Sequence, residues 1–165
     1  MTASETSRVE SKKVRETIMR HSIAQIIEGK PLVYVGPDDP VRAVAKRMAE
    51  KNIGAVAVLD QDTLVGIFTE RDLMIRVIAS EQNPDKTRVS TVMTTQIVAA
   101  DPNDSINECI QKMQQLGCRH LPVVDGGRLI GMLSLRDLLK EDADEQKEKV
   151  DFLSELVTYS ADYES

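Results

Sequence analysis

Two stretches of the chain, GIFTERDLMI from Gly66 and GMLSLRDLLK from Gly131, repeat one pattern 65 residues apart. In each, a glycine, two apolar residues and a hydroxyl residue are followed, after one variable residue, by Arg-Asp-Leu. At this offset the segments 32–74 and 97–139 align without a gap and share eleven identical positions. The duplication predicts that the chain folds as two similar units. Units of this size bury little core alone, so we expect them to pack against each other.

The apolar pattern predicts β-α-β-β-α in each unit, which makes an α/β (α+β) fold. First strands are expected at 32–35 and 97–100, each followed by a turn rich in Asp and Pro. Asp39 and Asp104 are placed to cap the next helix. Two apolar strands joined by DQDT or DGGR then precede the closing helix. The inward helix positions, at helical spacing, are Val41, Val44, Ala45 and Met48 in one unit and Ile106, Cys109, Ile110 and Met113 in the other.

The chain divides into an N-terminal flank at 1–21, repeats at 22–80 and 86–141, and a tail at 142–165. Residues 1–8 are expected to be disordered, and residues 9–27 to include an amphipathic helix. The tail begins as a charge run and then places apolar residues at helical spacing, which predicts an amphipathic helix. A second subunit is one candidate to cover this stripe. Its members are Val150, Leu153, Leu156 and Val157.

Composition excludes several classes of protein. The 165 residues are 41% hydrophobic and 29% charged, as in soluble globular proteins, and the net charge of −6 argues against a nucleic-acid surface. No apolar run is long enough for a membrane span, and the start of the sequence lacks a secretory signal, so a cytoplasmic location is expected. Cys109 and Cys118 are expected to be reduced. With only His21 and His120 to join them, a zinc site is not expected.

The repeated phrase has two interpretations. A hydroxyl residue followed three places later by an acid, as in Thr69–Asp72 and Ser134–Asp137, is close to a helix capping box. A carboxylate one turn into a helix can also accept hydrogen bonds from both hydroxyls of a ribose, while the helix N-terminus favours a phosphate. Gly66 and Gly131 would let the backbone approach such a ligand closely. Taken alone, the phrase favours the cap.

The two G-h-h-[T/S]-x-x-D motifs (h, apolar), with strand, helix and hairpin signals in matching places, resemble the CBS domain, named after cystathionine β-synthase. The resemblance covers residues 22–141. It implies tandem CBS repeats packed with pseudo-two-fold symmetry, often dimerised into a disc. It also implies adenosine ligands (AMP, ADP, ATP, sometimes NAD or S-adenosylmethionine) in two clefts between the halves.

The resemblance assigns residues to the two clefts. Asp72 and Asp137 would hold ribose, with Thr69 and Ser134 near ribose or phosphate. Each cleft would be completed by the other half, and Val33 and Val98 would line adenine. The residues facing Asp137 would be Ile53, Gly54 and Ala55, and those facing Asp72 would be Cys118, Arg119, His120, Leu121 and Pro122.

Arg119 and His120 would give the Asp72 cleft charges that Gly54 and Ala55 do not give the other, so we expect tighter binding of phosphorylated adenosine beside Asp72. Simpler interpretations stay open for the charged residues. Arg119 would be a solvated strand-edge charge, and His120 a partly buried residue satisfied by a carbonyl. Arg71 and Arg136 are either surface arginines or phosphate contacts, and Cys118 is most simply a small buried hydrophobe.

These features favour a regulatory, energy-sensing module that binds an adenosine nucleotide and acts on a separate effector protein. The alternative is a ligand-free structural or dimerising module. An enzyme is not expected, because no nucleophile triad, metal constellation or Walker loop is visible. We expect a homodimer that binds neither nucleic acid nor membrane.

Overall fold

The computed structural model describes residues 22–161, and of residues 152, 153 and 155–161 only the backbone. The predicted amphipathic helix at 9–27 is therefore described only at its end, and residues 9–21 lie outside the described part. The helices are α1 (Ile23–Ile27), α2 (Val41–Lys51), α3 (Glu70–Asp72, continued by a π-helical segment Leu73–Ile78), α4 (Ile106–Leu116) and α5 (Leu135–Ala161). The strands are β1 (Tyr34–Val35), β2 (Ala55–Asp60), β3 (Thr63–Thr69), β4 (His120–Asp125) and β5 (Arg128–Ser134), and a 3-10 turn spans Val89–Thr91.

The two units form similar sheets, which confirms the duplicated α+β fold. In the first, β1 pairs in parallel with β2, and β2 pairs antiparallel with β3. In the second, β4 and β5 form the matching hairpin. The hairpin turns carry positive φ angles at Gln61 (46°) and Asp62 (68°) and at Gly126 (53°) and Gly127 (82°). Two consecutive left-handed residues are what tight hairpins require, so the predicted turns are confirmed.

The predicted first strand of the second unit, 97–100, is reduced to a single bridge between Ala100 and Val123. The Ala100 amide donates to the Pro122 carbonyl at 2.8 Å, and the Val124 amide donates to the Ala100 carbonyl at 3.0 Å. Extending this parallel ladder by one step would need an N–H at residue 122 for the carbonyl of Val98. Proline has none, so the strand stops.

Each unit buries a segment that precedes the other unit in the chain. The α1 residues Ile23 and Ile27 belong to a core cluster with Leu121, Leu133 and Leu138 of the second unit. The cluster of the first unit in turn includes residues that follow its own last helix. Those residues are Val89 and Val92, with Met93 packed against them. The boundaries at 22–80 and 86–141 stay a prediction, and across them the leading segments are exchanged between the two cores.

Asp39 and Asp104 do not cap helices. The N-cap of α2 is Pro40, which makes no side-chain cap, and the N-cap of α4 is Ser105, which forms a capping box with Glu108. Asp39 instead accepts a hydrogen bond from the Gly36 amide at 2.9 Å, and Asp104 accepts one from the Asp101 amide at 2.8 Å. Both aspartates close the turn before the helix, because each lies one residue too early in the chain to cap it.

The predicted inward faces of α2 and α4 are largely confirmed. Val41, Val44 and Met48 are buried in the first unit, as are Ile106, Cys109 and Met113 in the second. Ala45 and Ile110 are half-buried. In the tail, α5 continues as a helix to Ala161, as predicted, with Val150 exposed. The side chains of Leu153, Leu156 and Val157 lie outside the described part of the structure.

Gly66 and Gly131 both lie against the exchanged segments. A Cβ atom at Gly66 would collide with Met93, and one at Gly131 would lie 2.8 Å from Ile27 Cδ1 and 3.1 Å from Ile27 Cβ. Met93 and Ile27 end the two exchanged segments. Each glycine therefore leaves room for the segment that crosses from the other unit. Gly131 also lines the cavity described below, so a close approach of a ligand to its backbone stays a prediction.

We predict that Gly131→Ala destabilises the protein by about 1–3 kcal/mol, because the β-branched Ile27 cannot swing away from the added methyl group. Gly36→Ala is the matched control, since its Cβ would meet nothing nearer than Asp39 at 3.8 Å. Urea denaturation measures both free energies of unfolding. Equal midpoints for the two variants would contradict the close packing of Ile27 on Gly131.

Candidate ligand cavity

A cavity of about 1160 Å³ lies between the two units. It is bounded in the first unit by the turn after α1, the end of α2 and the start of β2, and in the second by β5 and the start of α5. Nine of the sequence-predicted site residues line it: Val33, Ile53, Gly54, Ala55, Arg119, His120, Ser134, Arg136 and Asp137. Seven do not line it: Thr69, Arg71, Asp72, Val98, Cys118, Leu121 and Pro122.

Asp137 lies where β5 passes into α5, with its carboxylate partly open to the cavity. Its amide donates to Ser134 Oγ at 3.1 Å, as in a helix cap. Its Oδ2 atom lies 3.0 Å from Lys30 Nζ. Burial pushes the pKa of Asp137 upward, but the hydrogen bonds from Ser134 and Lys30 and the lysine charge outweigh it, so the pKa lies below its ordinary value. Asp137 is therefore a carboxylate at neutral pH and can accept hydrogen bonds from a ligand.

The equivalent Asp72 is enclosed by partners from its own helix and from the segment that precedes the second unit. Its carboxylate accepts hydrogen bonds from the Thr69 amide at 3.0 Å, the Thr69 hydroxyl at 2.9 Å and the Thr94 hydroxyl at 3.3 Å. Arg76 lies 3.4 Å away as an ion-pair partner, and the Asp72 side chain is only 10% exposed. The helix-cap interpretation therefore describes this copy, because its lone pairs are already satisfied.

Arg119 and His120 line the Asp137 cavity rather than a cleft beside Asp72. The antiparallel register pairs His120 with Ser134, and the Leu135 amide donates to the Arg119 carbonyl at 2.8 Å. The start of β4 is thereby held beside the end of β5, next to Asp137. The assignment of these two side chains to a cleft beside Asp72, and the tighter binding expected there, stay predictions that the lining of this cavity does not support.

His120 is half-buried where the two units meet. An added Cβ at Gly54 would lie 3.2 Å from His120 Cε1 and 3.3 Å from the Glu70 carboxylate. Burial lowers the pKa of His120, the charge of Arg119 lowers it further, and Glu70 and Asp137 oppose these effects without cancelling them. The imidazole is therefore neutral at pH 7.

We predict that the protein loses stability as the pH falls below about 6.5, the ordinary histidine pKa. The sign follows because the unfolded chain binds a proton on His120 that the folded chain resists. His120→Gln should flatten the melting temperature between pH 7 and the lower pKa of the folded state. His21→Gln, the chain's other histidine, is the control. A flattening seen only with His21→Gln would contradict the prediction.

Both cysteines, Cys109 and Cys118, are free thiols. Burial, with a smaller effect of the Asp104 charge, raises the pKa of Cys109 to about 11, so this thiol is protonated. Cys118 is half-buried and packs against the second core, close to its predicted role as a small hydrophobe. Within residues 22–161, the structure groups no three His, Cys, Asp or Glu side chains that could hold a metal ion. None of the described helices is long and apolar enough to cross a bilayer.

Sequence reasoning missed several charged side chains in the cavity, because nothing in their local sequence distinguishes them from surface residues. The lining carries five cationic side chains and two carboxylates, although the whole chain has a net charge of −6. This concentration of positive charge suits an anionic ligand. The cations are Lys30, Lys51, Arg119, Arg136 and Lys140, and the acids are Glu70 and Asp137.

The fold and the cavity define a duplicated α+β module with a cavity rich in cationic side chains between its halves. The CBS domain family matches residues 14–79 and 89–144, and the chain belongs to this family. It is 38% identical over 104 residues to the CBS domain-containing protein YhcV of Bacillus subtilis, which covers 63% of this chain and 74% of that protein.

Solved structures of proteins with CBS domains are similar to this chain. A signal-transduction protein with CBS domains from Burkholderia ambifaria is 41% identical, with a TM-score of 0.72 over 76% of this chain and 96% of that one. A CBS domain protein from Pyrobaculum aerophilum, solved in complex with AMP, has a TM-score of 0.64 over 70% of this chain and 88% of that one. At 23% identity, the second likeness bears on the fold alone.

Proposed function

We propose that this protein is a regulatory module that binds an adenosine nucleotide in the cavity beside Asp137. The observation that carries the proposal is an ionised, partly open carboxylate at a helix start, surrounded by an excess of cations. Proteins with paired CBS domains are regulatory modules, and the Pyrobaculum relative binds AMP.

The parts of a nucleotide match different parts of the cavity. Asp137, with Ser134 beside it, would accept hydrogen bonds from the ribose hydroxyls. Arg119 and Arg136 would pair with phosphate oxygens, which suit planar guanidinium groups. Apolar side chains just before β1 and at the start of β2 would enclose the adenine. These are Val33, Ile53 and Ala55.

The regulatory step would follow from the position of the cavity. Its walls come from both units, so a ligand that contacts both would favour one relative packing of the halves through its differential affinity. A separate effector protein would recognise that packing. Residues beside Asp72 would support the fold as a helix cap rather than hold a second ligand.

Titration calorimetry and thermal melting with AMP, ADP, ATP and NAD test this proposal. Ligand at about 100 times its Kd should raise the melting temperature by about 5–10 °C. AMP that lacks both ribose hydroxyls is the matched ligand control and should bind much more weakly. If none of these compounds binds, the alternative of a ligand-free structural or dimerising module is favoured instead.

We further propose that two copies of the chain form a homodimer. Several apolar side chains are exposed on the second half of α3 and along α5, and such surface is expected to be covered. Met74 (58% exposed) and Leu139 (53%) occupy equivalent positions of the two units. The others are Ile75, Ile78 and Val150.

The tail's share in this dimer is tested by ending the chain after Asp142. We expect the truncated protein to have a monomeric mass in light scattering at micromolar concentration, because it loses Val150 and the apolar residues beyond it. The full chain should have a dimeric mass under the same conditions. A monomeric full chain would contradict the dimer, and a dimeric truncated chain would contradict the role of the tail.

A further inference from the structure

Lys30 pairs with the carboxylate that would hold the ribose. Its Nζ lies 3.0 Å from Asp137 Oδ2, and the two side chains are 41% and 37% exposed. The Lys30 backbone is fixed, because its amide donates to the Ile27 carbonyl at 3.1 Å and Ile27 is buried in the second core. The long side chain therefore extends into the cavity from a backbone that is held in place.

This ion pair is easily exchanged. Both groups are partly hydrated, so the pair contributes little by itself and is broken at small cost. A lysine side chain is also flexible and carries its charge on a small group that can move between acceptors. By contrast, Asp72 is held by Arg76 of the same helix and by the hydroxyls of Thr69 and Thr94, and its side chain is nearly buried.

We propose that Lys30 makes the cavity select phosphorylated over unphosphorylated adenosine, an inference that rests on the proposed function. In the empty cavity Lys30 neutralises Asp137. A ribose must displace it to reach the carboxylate, and the released ammonium then needs a new anionic partner. The phosphate of a nucleotide supplies that partner, whereas adenosine does not. Lys30 therefore opposes adenosine binding and favours AMP binding.

Calorimetric titration of AMP and adenosine into the wild type and Lys30→Met tests the proposal. Lys30 would favour AMP binding and oppose adenosine binding, so its loss should change the two affinities in opposite directions. We expect Lys30→Met to weaken AMP binding about tenfold, by the loss of one charge-assisted contact. The same variant should bind adenosine more tightly, by about threefold, since a weak ion pair no longer competes. Lys30→Arg keeps the charge and should retain the preference for AMP.

Lys51→Met is the matched control, because Lys51 lines the same cavity from the end of α2 and is not the cation paired with Asp137. It should lower AMP affinity without raising adenosine affinity. Lys30 is largely exposed, so its replacement leaves the fold intact, which circular dichroism verifies.

Opposite changes for AMP and adenosine in Lys30→Met, together with retention in Lys30→Arg, would support the proposal. If Lys30→Met weakens both ligands, or weakens AMP and leaves adenosine unchanged, the proposal is overturned while the proposed function stands. If the wild type binds neither ligand, the proposed function fails, and this inference fails with it.

Discussion

Asp137→Ala is expected to weaken AMP binding by at least about 100-fold. The variant removes the charged acceptor for two ribose hydroxyls, and hydrogen bonds to a charged group contribute about 1.5–3 kcal/mol each. Asp72→Ala is the matched control at the equivalent position of the other unit. It should leave AMP affinity within about threefold of the wild type, a change below 1 kcal/mol, because Asp72 does not line the cavity.

For stability we expect the opposite order, with the larger loss in Asp72→Ala. Asp72→Ala removes the N3 acid of a capping box, the acceptor of the Thr94 hydroxyl and the ion-pair partner of Arg76, so we expect a loss of about 1–2 kcal/mol. Asp137→Ala removes a partly exposed pair and should cost less. Titration calorimetry, run well below both melting temperatures, separates affinity from stability. Loss of AMP binding in Asp72→Ala but not in Asp137→Ala would reverse the assignment of the cavity.

Ile23→Ala should destabilise the protein by about 2–5 kcal/mol. Ile23 is fully buried and belongs to the core of the second unit, although it precedes the first unit in the chain. The cavity left by the missing side chain would lie among Leu121, Leu133 and Leu138. The unfolding free energy is measured by urea denaturation.

Ile130→Ala is the control for that change. The same atoms are removed from the second unit itself, but Ile130 is 39% exposed, so the expected loss is below about 1 kcal/mol. Comparable losses for the two variants would contradict the exchange of leading segments between the cores. Protection of the Leu121 and Leu133 amides from hydrogen exchange should fall in Ile23→Ala, because those residues belong to the same core cluster as the substituted position.

The internal repeat predicted much of the fold. The constant offset of 65 residues predicted two similar units. The turn and apolar patterns within them predicted the hairpins at Gln61–Asp62 and Gly126–Gly127 and the buried faces of α2 and α4. These features depend on local pattern, which the sequence shows directly. The exchange of leading segments depends on packing across the whole chain. In the sequence, Gly66 and Gly131 reflect this exchange, but glycines at these positions are equally consistent with a ligand close to the backbone.

The candidate site was predicted in part. The resemblance to CBS domains pointed to Asp137 and to the start of β2, and both line the cavity. The resemblance placed Arg119 and His120 beside Asp72, whereas both line the cavity beside Asp137, because strand order alone does not say on which side of β4 their side chains lie. Lys30 was missed because its pairing with Asp137 joins residues more than 100 positions apart, and no motif surrounds it.

The two aspartates of the repeated phrase show why identical motifs need not act alike. Thr69–Asp72 and Ser134–Asp137 occupy the same place in their units, yet the surroundings differ in Thr94, Arg76 and Lys30. The first aspartate is enclosed by fixed partners, and the second faces a cavity with one exchangeable partner. The motif sets the backbone geometry, and its neighbours set the availability of the carboxylate.

A crystal structure of the protein grown with AMP tests the central claim most directly. We expect density for one nucleotide in the cavity between the units, with the ribose hydroxyls within hydrogen-bond distance of Asp137. We also expect Lys30 Nζ to move from Asp137 to the phosphate. Density for AMP beside Asp72, or a cavity without AMP in crystals of a protein that binds it, would contradict the account.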